Sequence, residues 1–438
     1  MTQAVILAGG KGTRLASLLK GKPKCLIDIA GVPLLERQIM LLKSEGIDDV
    51  IRLVNHAADH VAVFLKEKDN FGIKIRLIDD GEPRGTAGAV LAAYDALSER
   101  FFVVYGDTLL NVDLRRILDA HKSSQADATL FLHRNDHPAD SDLVEIDESG
   151  RVLAFHPYPH LPGRFHANLV NAALYVVEKS ALRKWRSFKV PSDFGKDLFP
   201  AILAGGGYLK GYVSFEYVKD VGTPERCAKA AAQIASGQVE RACFTHRQKA
   251  VFLDRDGTIN EHRGYITSVD QIALYPDAAE AIRLLNEAEY RTVLVTNQAV
   301  IARGELTYDG LRAIHAKLES LLGEKGAFLD AIYFCPHHPD KGFVGEVPEL
   351  KIDCNCRKPR IGMIEQAVKD MNIDLSQSWM IGDATSDIEL ARQANLRAVL
   401  LETGEGGEDG KYRVEPNHVA ADILQAVKKI LSPLEGRS

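Results

Sequence analysis

The chain has 438 residues, of which 46% are hydrophobic, 26% charged and 7% aromatic. At roughly 150 residues per domain it is too long for one ordinary hydrophobic core, and its composition excludes disorder as the main state. The net charge of −6, from 60 acidic and 54 basic residues, argues against broad binding to nucleic acid or an anionic membrane, so neither is expected as a partner.

The first apolar run, residues 4–8, is far shorter than a signal-peptide core and no basic region precedes it. No stretch reaches the roughly 20 apolar residues that span a bilayer. The cytoplasm is therefore the expected compartment. Six cysteines are too few and too uneven for a disulfide scaffold, but Cys335, Cys354 and Cys356 crowd one short stretch. That crowding points to a metal in a reducing compartment. The oligomeric state is not legible, and a homo-oligomer stays open.

In chain order, an apolar run Ala4-Val-Ile-Leu-Ala8 ends in the loop Gly9-Gly-Lys-Gly-Thr-Arg14. Strand-like runs follow at 50–54, 73–78 and 101–105, with a helical pattern at 34–45. A polar stretch at 237–248 reads as a linker between domains 1–236 and 249–438. The second domain opens in the same way, with Ala250-Val-Phe-Leu253 ending in Asp254-Arg-Asp-Gly-Thr258. Further strands are expected at 291–295, 379–381 and 398–401, and helices at 277–288 and 308–322. The alternation predicts α/β architecture, with two doubly wound, Rossmann-like domains and largely parallel sheets. In such sheets ligands bind beyond the carboxyl ends of the strands, where both opening loops fall. The Gly/Glu-rich stretch 404–410 reads as a mobile loop.

Gly9, Gly10 and Gly12 leave the backbone bare, so its N–H groups can approach a phosphate chain, and Lys11, Arg14 and Lys24 add positive charge. The loop matches neither G-x-G-x-x-G nor G-x-x-x-x-G-K-[ST]. The segment from Leu7 to Leu15 followed by Pro23-Lys24, then Gly85-Thr-Ala-Gly88, Tyr105-Gly-Asp107 and Asp220-Val-Gly-Thr-Pro224, resembles the sugar-1-phosphate nucleotidyltransferases over residues 3–230. The resemblance implies attack of a sugar 1-phosphate on the α-phosphorus of a nucleoside triphosphate, GTP by the same resemblance, with release of pyrophosphate. It implies that Gly9, Gly10, Gly12 and Thr13 cradle the nucleotide, that Arg14 and Lys24 hold phosphates, and that Asp107 and Asp220 hold Mg²⁺. Gly85, Thr86 and Gly88 would lie against the nucleobase, and Asn171 and Lys196 against the sugar phosphate. One departure is Phe155-His-Pro157, where many members carry Glu-Lys-Pro.

Asp254 and Asp256 stand two apart at a strand end, where an extended chain would point both to one side, one to attack and the other to transfer a proton. With Leu294-Val-Thr-Asn-Gln298, Arg357-Lys-Pro359 and Ile381-Gly-Asp-Ala-Thr-Ser-Asp387, they resemble the four motifs of haloacid-dehalogenase-type phosphatases, in order. The resemblance implies that Asp254 forms an aspartyl phosphate and that Asp256 protonates the leaving group. Thr296 and Lys358 would stabilise the phosphoryl group, Mg²⁺ would sit on Asp254, Asp383 and the Asp256 carbonyl, and Asp387 would support them. Cys335-Pro-His337 and Cys354-Asn-Cys356 supply three thiolates and an imidazole for a closed, structural Zn²⁺ site, with His338 a spare.

The zinc loop, Asn297-Gln298 and Ile301-Ala-Arg-Gly304 together resemble D-glycero-D-manno-heptose 1,7-bisphosphate phosphatases. Ala299-Val300 departs from the Ser-Gly that often follows Asn-Gln there. Asn297, Arg303 and Arg357 are the expected substrate contacts, Arg303 to a second phosphate or else in a surface ion pair. Both resemblances together imply an enzyme whose phosphatase product, a heptose 1-phosphate, feeds its nucleotidyltransferase. The alternative is a mannose-1-phosphate guanylyltransferase joined to a histidinol-phosphate-like phosphatase.

Overall fold

The run Gln3–Ile6 is buried at all four positions: parallel strands Asp49–Val54 and Arg100–Val104 flank it in the sheet, and Ala4 and Ile6 join a buried cluster with Leu35, Ile39 and Val61 on one face. A strand covered in this way reads as continuous apolar sequence rather than as an alternation. The computed structural model describes residues 2–7, 13–19, 21–54, 58–79 and 81–432. Among these, Lys74–Asp79 extends the parallel part of the first sheet next to Asp49–Val54. Its other half departs from the parallel expectation. Val170–Glu178 runs antiparallel to both Arg100–Val104 and Ala128–His133, and Leu143–Ile146 and Val152–His156 pair antiparallel beyond it. A separate antiparallel pair joins Thr108–Asn111 to Tyr217–Asp220, placing Asp220 opposite Thr108.

The second sheet is parallel throughout its described strands, in the order Ala331–Cys335, Arg291–Asn297, Ala250–Leu253, Trp379–Gly382, Arg397–Leu401, His418–Ala420. Helix Ala278–Glu287 packs onto its core through Ala278, Ala281, Ile282 and Leu285, a face at three- and four-residue spacing. Each buried Ile or Leu there contributes about 1.5–3 kcal/mol of transfer free energy. In both sheets the opening strand has later strands on each side. The chain therefore reverses its winding direction there, and a crevice opens at that strand's carboxyl end.

The chain divides into two units, one of Met1–His133, Ser141–Tyr158 and Leu169–Thr245, the other of Arg134–Asp140, Pro159–Asn168 and His246–Ser438. The two short segments drawn from the first half into the second unit carry no periodic signal that would mark them. Within 237–248, Gln238–Arg241 forms one helical turn. No helix among the described residues is long and apolar enough to cross a membrane.

Candidate functional site

In the first unit, the expected phosphate loop residues Gly9, Gly10 and Gly12 lie outside the described residues. Thr13 opens the turn Thr13–Leu15, and Arg14 on that turn is exposed, without a hydrogen-bond or ion-pair partner among the described residues. Lys24 and Asp107 are brought together, Nζ to Oδ2 at 2.6 Å, and the Val221 N–H donates to the Asp107 carbonyl at 3.0 Å. This main-chain link sets Asp107 beside Asp220, whose carboxylate pairs with Arg226. Two carboxylates with cations in reach suit a hard divalent ion bound together with phosphate oxygens.

A second cluster gathers the residues expected at the base and the sugar phosphate. Gly85–Ala92 begins a helix whose Ala87 and Gly88 N–H groups both donate to the Ser192 carbonyl, at 3.0 and 3.3 Å. Thr86 Oγ1 donates to Asp193 Oδ2 at 2.6 Å, and the Tyr105 hydroxyl donates to Thr86 Oγ1 at 3.1 Å. Burial holds that hydroxyl well above the ordinary phenol range, so it remains a donor. Asp193 Oδ1 accepts from the N–H groups of Gly195 and Lys196, at 2.8 and 3.2 Å. Asn171 reaches the same place, since a Cβ on Gly195 would lie 3.0 Å from its side-chain amide nitrogen. The Lys196 ammonium itself points outward, 3.7 Å from Asp142. Asp193 was not legible as a site residue. Its sequence signal, an acidic residue just before a short helix, occurs at many caps.

In the second unit the strand ends converge. Asp254 follows Ala250–Leu253, Thr296 and Asn297 end Arg291–Asn297, and Asp383 follows Trp379–Gly382. Lys358 Nζ lies 2.7 Å from both Asp254 Oδ1 and Asp387 Oδ1. Asn297 grips the Lys358 backbone, accepting its N–H at 3.0 Å and donating to its carbonyl at 3.3 Å. Carboxylate oxygens of Asp254, Asp383 and Asp387 lie within 4.8 Å of one another. Burial, then Lys358, Asp387 and Asp256 acting in opposition, leaves Asp254 raised to about 6. Burial with Asp254 and Asp387 raises Asp383 to about 8. Burial alone would lower Lys358, but the two aspartates hold it above its ordinary value. Three carboxylates around one ammonium leave an excess of negative charge, which fits a divalent cation.

Asp256 does not join this cluster. The strand stops at Leu253 and the chain turns, with the Ile259 and Asn260 N–H groups both donating to the Arg255 carbonyl. Alternation along an extended chain therefore no longer applies. The Asp256 carboxylate accepts instead from Arg255 (2.8 Å), Asn260 (2.9 Å) and Gln298 (3.3 Å). Burial would raise it, but Arg255 and these hydrogen bonds hold it below the ordinary carboxylate value. Gln298 also donates to Thr296 Oγ1 at 2.8 Å. Arg255, fully buried, is the residue that the motif left unread.

Cys335, His337, Cys354 and Cys356 gather in a second cluster that could hold a metal ion. The three sulfur–sulfur distances are 3.3, 3.4 and 3.5 Å, and His337 Nδ1 lies 3.2 Å from Cys356 Sγ. Bonds of about 2.3 Å in a tetrahedral zinc site put sulfurs about 3.8 Å apart, so the donors fit with a small expansion. His338 stays outside, its Nδ1 accepting the Asp340 N–H. Arg357 donates to the His337 carbonyl at 3.2 Å. Arg303 is packed between the rings of Tyr265 and Phe343, 4.4 and 4.3 Å from their centroids, and pairs with Glu305 at 3.2 Å.

Two α/β units, each with charged side chains gathered at its strand ends, define an enzyme of two activities. The Nucleotidyl transferase family model matches residues 3–237, and the HAD-hydrolase-like model matches residues 355–426. A D-glycero-beta-D-manno-heptose-1,7-bisphosphate 7-phosphatase of Yersinia pestis is 42% identical over 163 residues, covering 37% of this chain and 85% of its own. The D-glycero-D-manno-heptose-1,7-bisphosphate 7-phosphatase of Thermosynechococcus vestitus is 40% identical over 195 residues, covering 43% of this chain and 98% of its own. The crystal structure of HddC from Yersinia pseudotuberculosis aligns with a TM-score of 0.47 and 27% identity, over 53% of this chain and all of that one. The chain thus belongs to the nucleotidyl transferase family through its first half and to the D-glycero-D-manno-heptose-1,7-bisphosphate 7-phosphatases through its second. It joins transferase and phosphatase activities in one polypeptide.

Proposed function

We propose that the second domain removes the 7-phosphate of D-glycero-D-manno-heptose 1,7-bisphosphate. The first domain then transfers GMP from GTP to the heptose 1-phosphate, in the cytoplasm. The observation that carries this reading is the pairing itself. A phosphatase domain of heptose-bisphosphatase kind shares a chain with a nucleotidyl transferase, and the product of one has the chemistry that the other consumes. A histidinol-phosphate-like phosphatase would leave the transferase without that connection.

In the phosphatase, Asp254 attacks the phosphorus and the sugar alkoxide departs. Lys358, held by Asn297, and Thr296 stabilise the transferring phosphoryl group. Asp256 carries the proton to the alkoxide and then takes one from the water that attacks the aspartyl phosphate, breaking its bond to Asp254 and releasing phosphate. Its resting carboxylate is held low by Arg255, so an entering phosphate must raise it before it can hold that proton. Arg303 and Arg357 are the cations offered to the second phosphate. In the transferase, Lys24 and Arg14 hold phosphates while Thr86 and Lys196, joined through Asp193, hold base and sugar phosphate in one frame. Asp254 and Asp383, with the Asp256 carbonyl, would hold one Mg²⁺, Asp107 and Asp220 another, and Cys335, His337, Cys354 and Cys356 a structural Zn²⁺. Bound Mg²⁺ neutralises phosphate charge and offsets repulsion of the anionic nucleophile.

Incubating the enzyme with heptose 1,7-bisphosphate and each of the four nucleoside triphosphates is expected to give phosphate, pyrophosphate and a sugar nucleotide with GTP. No sugar nucleotide with any of the four would end the pathway assignment. Arg14→Ala is expected to lower pyrophosphate release about 100-fold or more, as for loss of a phosphate clamp, with phosphate release within about twofold. Equal loss of both activities in folded protein would contradict two separate sites.

A further inference from the structure

Composition alone marks residues 404–410 as mobile, with glycines at 404, 406, 407 and 410. The structure instead folds this stretch over Asp383 and ties it down at both ends. Thr403 Oγ1 donates to the Gly257 carbonyl at 2.7 Å. The Glu405 N–H donates to Asp383 Oδ2 at 2.7 Å, and the Gly407 N–H to the Asp383 carbonyl at 2.8 Å. At the far end, the Asp409 carboxylate accepts from the Thr385 N–H at 2.7 Å and from its hydroxyl at 2.8 Å. Gly257 and Gly404 take positive φ, +89° and +59°, and a Cβ on either would collide with the Asp383 carboxylate. That carboxylate is therefore enclosed by two stretches of backbone, one from the loop after the opening strand and one from residues 403–407.

We propose that Thr403 and Asp409 are positioning residues for the divalent cation of the phosphatase site. They hold the loop so that its Glu405 N–H fixes the orientation of Asp383. The inference rests on reading Asp254 and Asp383 as cation ligands. Asp254, Asp383 and Asp387 repel one another, so a free Asp383 side chain would turn away from the other two. A charge-assisted hydrogen bond from a fixed N–H opposes that rotation. The N–H is fixed only while the glycine-rich loop is, and its backbone entropy must be overcome by the two end anchors. Asp409 is not among the carboxylates gathered at this site, and the Thr403 hydroxyl is turned to the Gly257 carbonyl. Groups that orient metal ligands in this way are worth roughly 10- to 100-fold in metal affinity.

The test uses the full chain and titrates Mn²⁺ by electron paramagnetic resonance, following the class of bound Mn²⁺ that is lost in Asp383→Asn. Thr403→Val and Asp409→Ala are each expected to weaken that class roughly tenfold or more. Phosphate release at saturating Mg²⁺ should fall far less, so that the Mg²⁺ requirement shifts while the maximal rate is kept. Asp409→Asn can still accept the Thr385 N–H and donate to its hydroxyl, and should restore affinity to near that of the unmodified chain. Affinity within twofold of the unmodified chain in both Thr403→Val and Asp409→Ala would overturn the proposal. If Asp383→Asn itself lost no Mn²⁺, the ligand reading, rather than the loop, would be the part that fails.

Discussion

Asp254→Asn is expected to lower phosphate release by roughly four orders of magnitude, the scale on which removal of a covalent nucleophile acts. Nucleotidyl transfer should be unchanged. The amide has the size of the carboxylate but cannot open the phosphate ester, and neither Asp256 nor Asp387 can replace it. Asp256 is committed to Arg255, Asn260 and Gln298, and Asp387 is fully buried against Lys358. The fold should survive the change. The Asp254 main chain is anchored by its N–H to the Ile381 carbonyl at 3.0 Å, and Lys358 keeps Asp387 as a partner. The sign of the stability effect follows from the raised pKa of Asp254. A carboxyl raised from 3.8 to about 6 in the folded state costs stability as the pH climbs through that window. An amide carries no such cost, so the melting temperature at pH 7 should be equal or higher. Phosphate release within tenfold of the unmodified enzyme, measured with heptose bisphosphate at saturating Mg²⁺, would remove the aspartyl-phosphate mechanism.

The parts of the molecule that were legible in the sequence are those set by local pattern. Apolar runs that end in charged or glycine-rich loops mark both opening strands, because a strand buried on both faces must be apolar and its ligands wait at its end. Asp254, Thr296, Lys358 and Asp383 each follow such a run or lie in a short motif, and the structure brings Lys358 to Asp254 and sets Asp383 within 4.8 Å of Asp254. The pairing of Cys335 and His337 with Cys354 and Cys356 was likewise readable from spacing. What stayed hidden depends on contacts distant in sequence. Asp193 meets Thr86 across 107 residues, and Thr403 meets Gly257 across 146. Neither has a periodicity to betray it. The partners of Asp256 lie beyond the reach of a local rule for extended chain, because the strand ends at Leu253 and its carboxylate meets Arg255, Asn260 and Gln298. The 403–410 loop shows that glycine content reports the freedom of an unfolded segment, whereas order in the fold depends on what its ends can bond.

Cys354→Ser is expected to reduce bound zinc from about one ion per chain to near none and to abolish phosphate release, while nucleotidyl transfer continues. The sulfurs of Cys335, Cys354 and Cys356 and the imidazole of His337 already stand within 3.2–3.7 Å of one another along the closest pairs. Hydrogen bonding with Cys335, Cys354 and His337 holds Cys356 below the ordinary thiol range, which favours the thiolate form that a metal takes up. Without a cation, three such donors in contact would repel as they ionise. Structural zinc sites supply about 10–16 kcal/mol of apparent binding free energy to folding, more than the whole stability of many domains. The segment they hold here leads directly into the phosphoryl site: Cys356 is two residues from Lys358, and Arg357 donates to the His337 carbonyl. Loss of the cluster therefore frees the ammonium that Asp254 and Asp387 share, and no contact of Lys24 with Asp107 or of Thr86 with Asp193 depends on it. Metal analysis of the purified variant, with both activities assayed on the same sample, separates the outcomes. Zinc retained at full occupancy would refute the ligand set. Zinc lost with phosphate release intact would leave the ligands standing and refute the support of Lys358.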